Sequence, residues 1–130
     1  MSHDFTVGDA ACLIGVEPSR IRNWQQHQHI NFGTRGVTGR YRFSMRDVRA
    51  LALTARLVDH GIEPGRAATQ ATRIVDRIGT WNKAPLVAVF SREANVSPCL
   101  VPEDAMPATD AVIVIPLGTL FAELEAMAGR

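Results

Sequence analysis

Cysteine is scarce in this chain: 130 residues hold 2, Cys12 and Cys99, widely separated. Such a pair builds neither a disulfide framework nor a thiolate metal site. The two are expected to be buried free thiols, the first among the apolar positions of a helix and the second in a strand. His27 and His29 have no third ligand beside them, so zinc is not expected either. Long apolar runs are missing, as is a secretory leader, which leaves a cytoplasmic protein with no membrane partner as the expectation. A Gly-rich phosphate loop, a G-x-S-x-G elbow and an H-E-x-x-H helix are all lacking. The acids Glu103, Asp104 and Asp110 fall in a Pro-containing loop and read as solvated charges, so neither enzymatic activity nor a cofactor is expected.

Net charge is nearly absent too, at +1, but the balance hides an asymmetry. Residues 1–83 carry twelve Lys or Arg against seven acids, whereas residues 84–130 carry two against six. A basic front and an acidic tail suggest two working parts, with only the first suited to a polyanion. With 46% hydrophobic residues, the chain can support one modest core and a small appendage.

What is present begins with a helix start at Thr6-Val-Gly-Asp9, where hydroxyl and carboxylate can each satisfy the other residue's backbone N–H. Val7, Ala10, Ala11 and Ile14 follow at helical spacing, and Gly15 supplies a left-handed exit. Pro18 opens a second helix running to about Gln28. On that helix Ile21 and Trp24 share one face and should pack on the first helix. Ser19, Arg22, Asn23 and Gln26 occupy the opposite face, with Arg20 on its flank. Arg can grip guanine N7 and O6, and Asn and Gln can do the same for adenine N6 and N7. A polar outer face alone is what any solvated helix shows.

The next segment adds weight. Residues 31–39 are rich in turn formers, and Arg40, Tyr41, Arg42 and Phe43 alternate as a strand would. Arg40 and Arg42 then share one side, Tyr41 and Phe43 the other, with Arg35 near the tip. An Arg-rich ribbon can be a mere solubilising edge. Beside a helix of this kind it reads as a wing that lies on phosphates, and residues 17–50 hold seven Arg against Glu17 and Asp47.

These residues, together with Gly15-Val-Glu-Pro-Ser19, Ile21-Arg22-x-Trp24, Gly39-x-x-Arg42-Phe43, Ser44-Met-Arg-Asp47-Val48 and Leu57-Val-Asp-His-Gly61-Ile62, resemble the DNA-binding domain of the MerR family. They are also similar to the related excisionase-like winged helices. The resemblance covers roughly residues 5–78. It implies that Arg22 is the Arg of the recognition helix, that Trp24 packs or meets phosphate, and that Arg40 and Arg42 are wing contacts. The chain departs from the family's pattern at Asn23, where an aromatic is usual, at Gln28, where Gly is usual, and in having no long dimerising helix after the domain.

Downstream, a second capping box at Ser44–Asp47 opens a helix ending at His60-Gly61, and Glu63-Pro64 opens another that stops at Gly79. The period then changes. Strands are expected at Leu86–Phe90, Val96–Val101 and Ala111–Ile115, and a helix from about Gly118 to Met127. One helix covers one face of a small sheet, and an uncharged Val/Ile strand invites association. The expected architecture is therefore mainly α with small β parts (α+β). A winged helix-turn-helix domain (1–79) and a linker (80–85) precede a strand-strand-strand-helix domain (86–130) that pairs two subunits. The expected partner is double-stranded DNA on the nucleoid, met by Ser19, Arg20, Arg22, Asn23, Trp24 and Gln26 of the helix and by Arg35, Arg40, Tyr41 and Arg42 of the wing. Transcriptional regulation by a homodimer is the leading reading. An architectural factor of the excisionase type and a protein-interaction adaptor are the alternatives.

Overall fold

Polar side chains at fixed spacing start the helices. In α1 (Val7–Ile14) the Thr6 hydroxyl accepts from Asp9 N–H at 3.0 Å while the Asp9 carboxylate accepts from Thr6 N–H at 3.1 Å. Gly15 closes it at φ 76, and its N–H returns to the Ala11 carbonyl. Only Val16 and Glu17 then separate it from α2 (Pro18–Gln26), which ends at His27, slightly earlier than expected. In α3 (Met45–Asp59) Ser44 and Asp47 repeat the reciprocal cap, at 2.9 and 3.1 Å. The start of α4 (Pro64–Ile78) is capped by the Glu63 carboxylate, which accepts from the N–H groups of Gly65 and Arg66.

The structure is a computed structural model that describes residues 5–27, 30, 32–35, 39–79, 86–93, 96–105 and 112–129. The expected linker at residues 80–85 lies outside them, as do Gln28, His29 and Asp110. The chain divides into two compact units, Met1–Ala71 and Thr72–Arg130.

In the first unit, α1 and α2 form the helix-turn-helix and α3 packs against α1. Ile21, Phe43, Val48, Leu51, Leu53 and Leu57 are among its fully buried side chains. Between α2 and α3 stands a short antiparallel ladder, β1 (Thr34–Arg35) with β2 (Tyr41–Arg42), pairing Thr34 with Arg42 and Arg35 with Tyr41. Phe43, one residue further, exchanges both backbone hydrogen bonds with Phe5, at 2.7 and 2.8 Å. That bridge fixes the base of the hairpin beside the entry to α1. Gly33 makes the approach possible: it sits at φ 89, and a Cβ there would lie 2.8 Å from the Phe43 ring.

The second unit carries β3 (Leu86–Ser91), β4 (Cys99–Pro102), a 3-10 turn at Glu103–Ala105, β5 (Val112–Pro116) and α5 (Leu117–Ala128). Its sheet is antiparallel in the order β4-β3-β5. The strand expected over Val96–Val101 begins only at Cys99, after Pro98, which has no N–H to give to a ladder. Val87, Ala88, Val89 and Phe90 are buried in succession, so the central strand is covered on both faces. On β5, Ile113 and Ile115 are buried while Val112 and Val114 are only partly covered. The Arg77 guanidinium, at the end of α4, donates to the Pro98 carbonyl at 2.7 Å.

Both thiols depart from expectation: Cys12 and Cys99 are exposed. α1 is short and buries only Ala10 and Ala11, which leaves Cys12 on its outer side; Cys99 starts an edge strand.

Candidate nucleic-acid interface

One side of α2 is fixed by packing. Ile21 and Trp24 are 0% and 4% exposed, so the helix can present only its remaining residues to a partner. Ser19, Arg22, Asn23 and Gln26 are exposed; Arg20 and Gln25 are half-buried. Trp24 thus packs, and its indole is further covered by the Arg20 guanidinium, 5.3 Å from the ring centroid. Arg20 also donates to the Asp59 carboxylate at 3.4 Å.

The wing holds its own arginines in different ways. Arg35 stands opposite Tyr41 in the ladder and lays its guanidinium 5.6 Å from the Tyr41 ring. Its Nε donates to the Gly39 carbonyl at 3.1 Å, which closes the hairpin locally and leaves the terminal nitrogens directed elsewhere. Arg40 and Arg42 are exposed.

Helix and wing enclose an open cleft of about 1230 Å³. Arg22, Gln25 and Gln26 line it from α2, Arg35, Gly39, Arg40, Tyr41 and Arg42 from the hairpin, and Thr6, Val7 and Gly8 from the start of α1. Among the described residues four guanidiniums and no carboxylate line this space, and no carboxylate forms an ion pair with Arg22, Arg35, Arg40 or Arg42. Such a cleft suits a polyanionic backbone.

Of the residues singled out from the sequence, Arg22, Gln26, Arg35, Arg40, Tyr41 and Arg42 come together in the cleft. Ser19, Arg20, Asn23 and Trp24 do not line it. Gln25 and the Thr6–Gly8 segment join it without having been expected there. The angular position of Gln25, about 60° from Arg22 on a helix, is the signal that could have found it. Thr6 carries only the signature of a cap, and nothing local to it says that the hairpin lies nearby.

A model of the MerR HTH family of regulatory proteins matches residues 5–70, just over half of the chain. The chain belongs to this family. No curated protein matches it. As a MerR-family member it is a DNA-binding regulatory protein, and the family is not an enzymatic one. The MerR match takes in α1, α2, the hairpin, α3 and the beginning of α4; it ends before β3–α5. Among the described residues no helix is long and apolar enough to cross a membrane, and no three His, Cys, Asp or Glu side chains gather as a metal site.

Proposed function

We propose that this protein is a sequence-specific regulator of transcription that binds double-stranded DNA as a homodimer on the nucleoid in the cytoplasm. In this reading α2 enters the major groove. Arg22, Asn23, Ser19 and Gln26 meet base edges or adjacent phosphates, while Arg35, Arg40, Tyr41 and Arg42 of the wing hold the backbone. Trp24 supports the helix from behind, with Arg20 on its flank. The observation that carries the reading is the cleft itself: arginines from two separate elements face one space that, among the described residues, no carboxylate lines. Solvated charges placed for solubility have no reason to converge in this way.

The division of labour proposed is residues 1–79 for DNA, 80–85 as linker and 86–130 for pairing subunits. Support for pairing comes from β5, an edge strand of the sheet whose residues are Val, Ile, Val, Ile and Pro, with Val112 and Val114 still partly exposed. Isolated soluble proteins blunt such edges with charge. A single module of this size makes few phosphate contacts, which supports binding of roughly 10⁻⁴–10⁻⁶ M near physiological salt. Two joined modules add their contacts and read two half-sites.

Selection of bound fragments from random or genomic DNA by the full chain, with the mass of the complex measured alongside, tests the proposal. A recurrent inverted repeat held by two subunits is the expected result. Closely spaced direct sites filled cooperatively would instead assign an architectural role of the excisionase type, and no enriched sequence would leave an adaptor.

A further inference from the structure

Arg20 and Arg22 lie on opposite flanks of α2, about 160° apart around its axis. The cleft opens on the Arg22 side. Arg20, on the other side, is held by a carboxylate from the far end of α3 and by the ring of Trp24 on its own helix. Asp59 is the last residue of α3. A negative charge there opposes the helix macrodipole, so the position does not serve the helix that carries it. Glu17 precedes Arg20 by three residues, close enough on a helix to compete, yet the guanidinium pairs with Asp59, 39 positions away in sequence.

We propose that Asp59 is a specificity-determining residue, acting through Arg20. By drawing that guanidinium back onto Trp24 it removes one phosphate-seeking cation from the DNA-facing helix. The inference rests on the DNA-binding reading above. Charge that meets phosphate raises affinity for every sequence alike and carries no information. A long Arg side chain on the flank of a groove-entering helix would do this unless restrained. With Arg20 occupied, the guanidinium that remains available on α2 is that of Arg22, on the cleft side where base edges and wing contacts coincide. Both partners are partly exposed, at 37% and 62%, so the restraint is adjustable and replacing either residue leaves the core intact.

The test is a double-mutant cycle on the full chain, with binding to a random-sequence duplex and to the selected site measured from 50 to 200 mM salt. Asp59→Asn is expected to raise affinity for the random duplex by about threefold or more at the low-salt end, and to steepen the dependence of log K on log salt by about 0.9, the signature of one added phosphate contact. The selected site should gain less, so that the specificity ratio falls. Arg20→Ala alone should leave the slope unchanged, and the double variant should bind like Arg20→Ala. Asp59→Ser, which also removes the charge, should repeat the behaviour of Asp59→Asn, and neither should lower the melting temperature appreciably.

Three results would overturn the proposal: an unchanged slope for Asp59→Asn; a gain that persists without Arg20, which would trace it to the carboxylate's own repulsion; or a slope flattened by Arg20→Ala, which would make Arg20 a direct contact. Failure of the underlying DNA reading would look different, since the wild-type chain would then bind neither duplex, and both proposals would fall.

Discussion

The two units of this protein are specified in different languages. In the first, short polar signals set the architecture: Thr6 with Asp9, Ser44 with Asp47 and Glu63 with two amides each start a helix, and Gly15 ends one. The second has few such marks. β3 and β5 are apolar runs, and α5 starts at Pro116 with no side-chain cap. Where polar caps punctuate the chain, each helix start is marked by bonds made within four residues. The second unit is built from ladders of apolar strands, and its edge strand β5 keeps Val112 and Val114 partly exposed. The MerR-family match falls on the first kind of region and not the second.

The strongest way to break this contrast is to remove core from the unit that relies on it. Phe90, at 2% exposure, sits in the central strand. Phe90→Ala should cost about 3–5 kcal/mol by urea unfolding, as expected for a large aromatic truncated in a packed interior. Val114→Asp places a charge on the β5 edge. It should convert the proposed dimer to a monomer by sedimentation and weaken binding to a two-half-site DNA by about 100-fold or more as avidity disappears, with little change on a single half-site. Arg22→Ala should cost about 1–3 kcal/mol of DNA affinity and relax the sequence preference, if the residue meets a base edge as proposed. Smallest is the removal of a cap. Ser44→Ala, at a cap that does not line the cleft, should lower stability by about 1 kcal/mol in thermal melts, and its effect on DNA binding should be slight.

The same contrast explains what is legible in the sequence. Helix starts can be read in the first unit because each cap is written within four residues, and the strands of the second can be read from their alternation and apolar runs. Contacts between distant positions cannot. Nothing near Phe5 says that its backbone will exchange hydrogen bonds with Phe43, and nothing near Arg20 points to Asp59. The wing shows both sides of this: alternation places Arg40 and Arg42, whereas the stacking of Arg35 on Tyr41 needs the register of a ladder with two pairs. Exposure of the cysteines is hidden from the sequence because membership of an apolar-looking stretch does not tell which side of a short helix or an edge strand a residue occupies.

The central claim is that the arginines of helix and wing form one anion-binding surface. Its most direct test compares the salt dependence of DNA binding for the wild-type chain, Arg42→Ala and Arg22→Ala/Arg42→Ala. The expected result is a log–log slope that flattens by about 0.9 for each phosphate no longer neutralised, with affinity falling in step. Three parallel lines of equal affinity would contradict it.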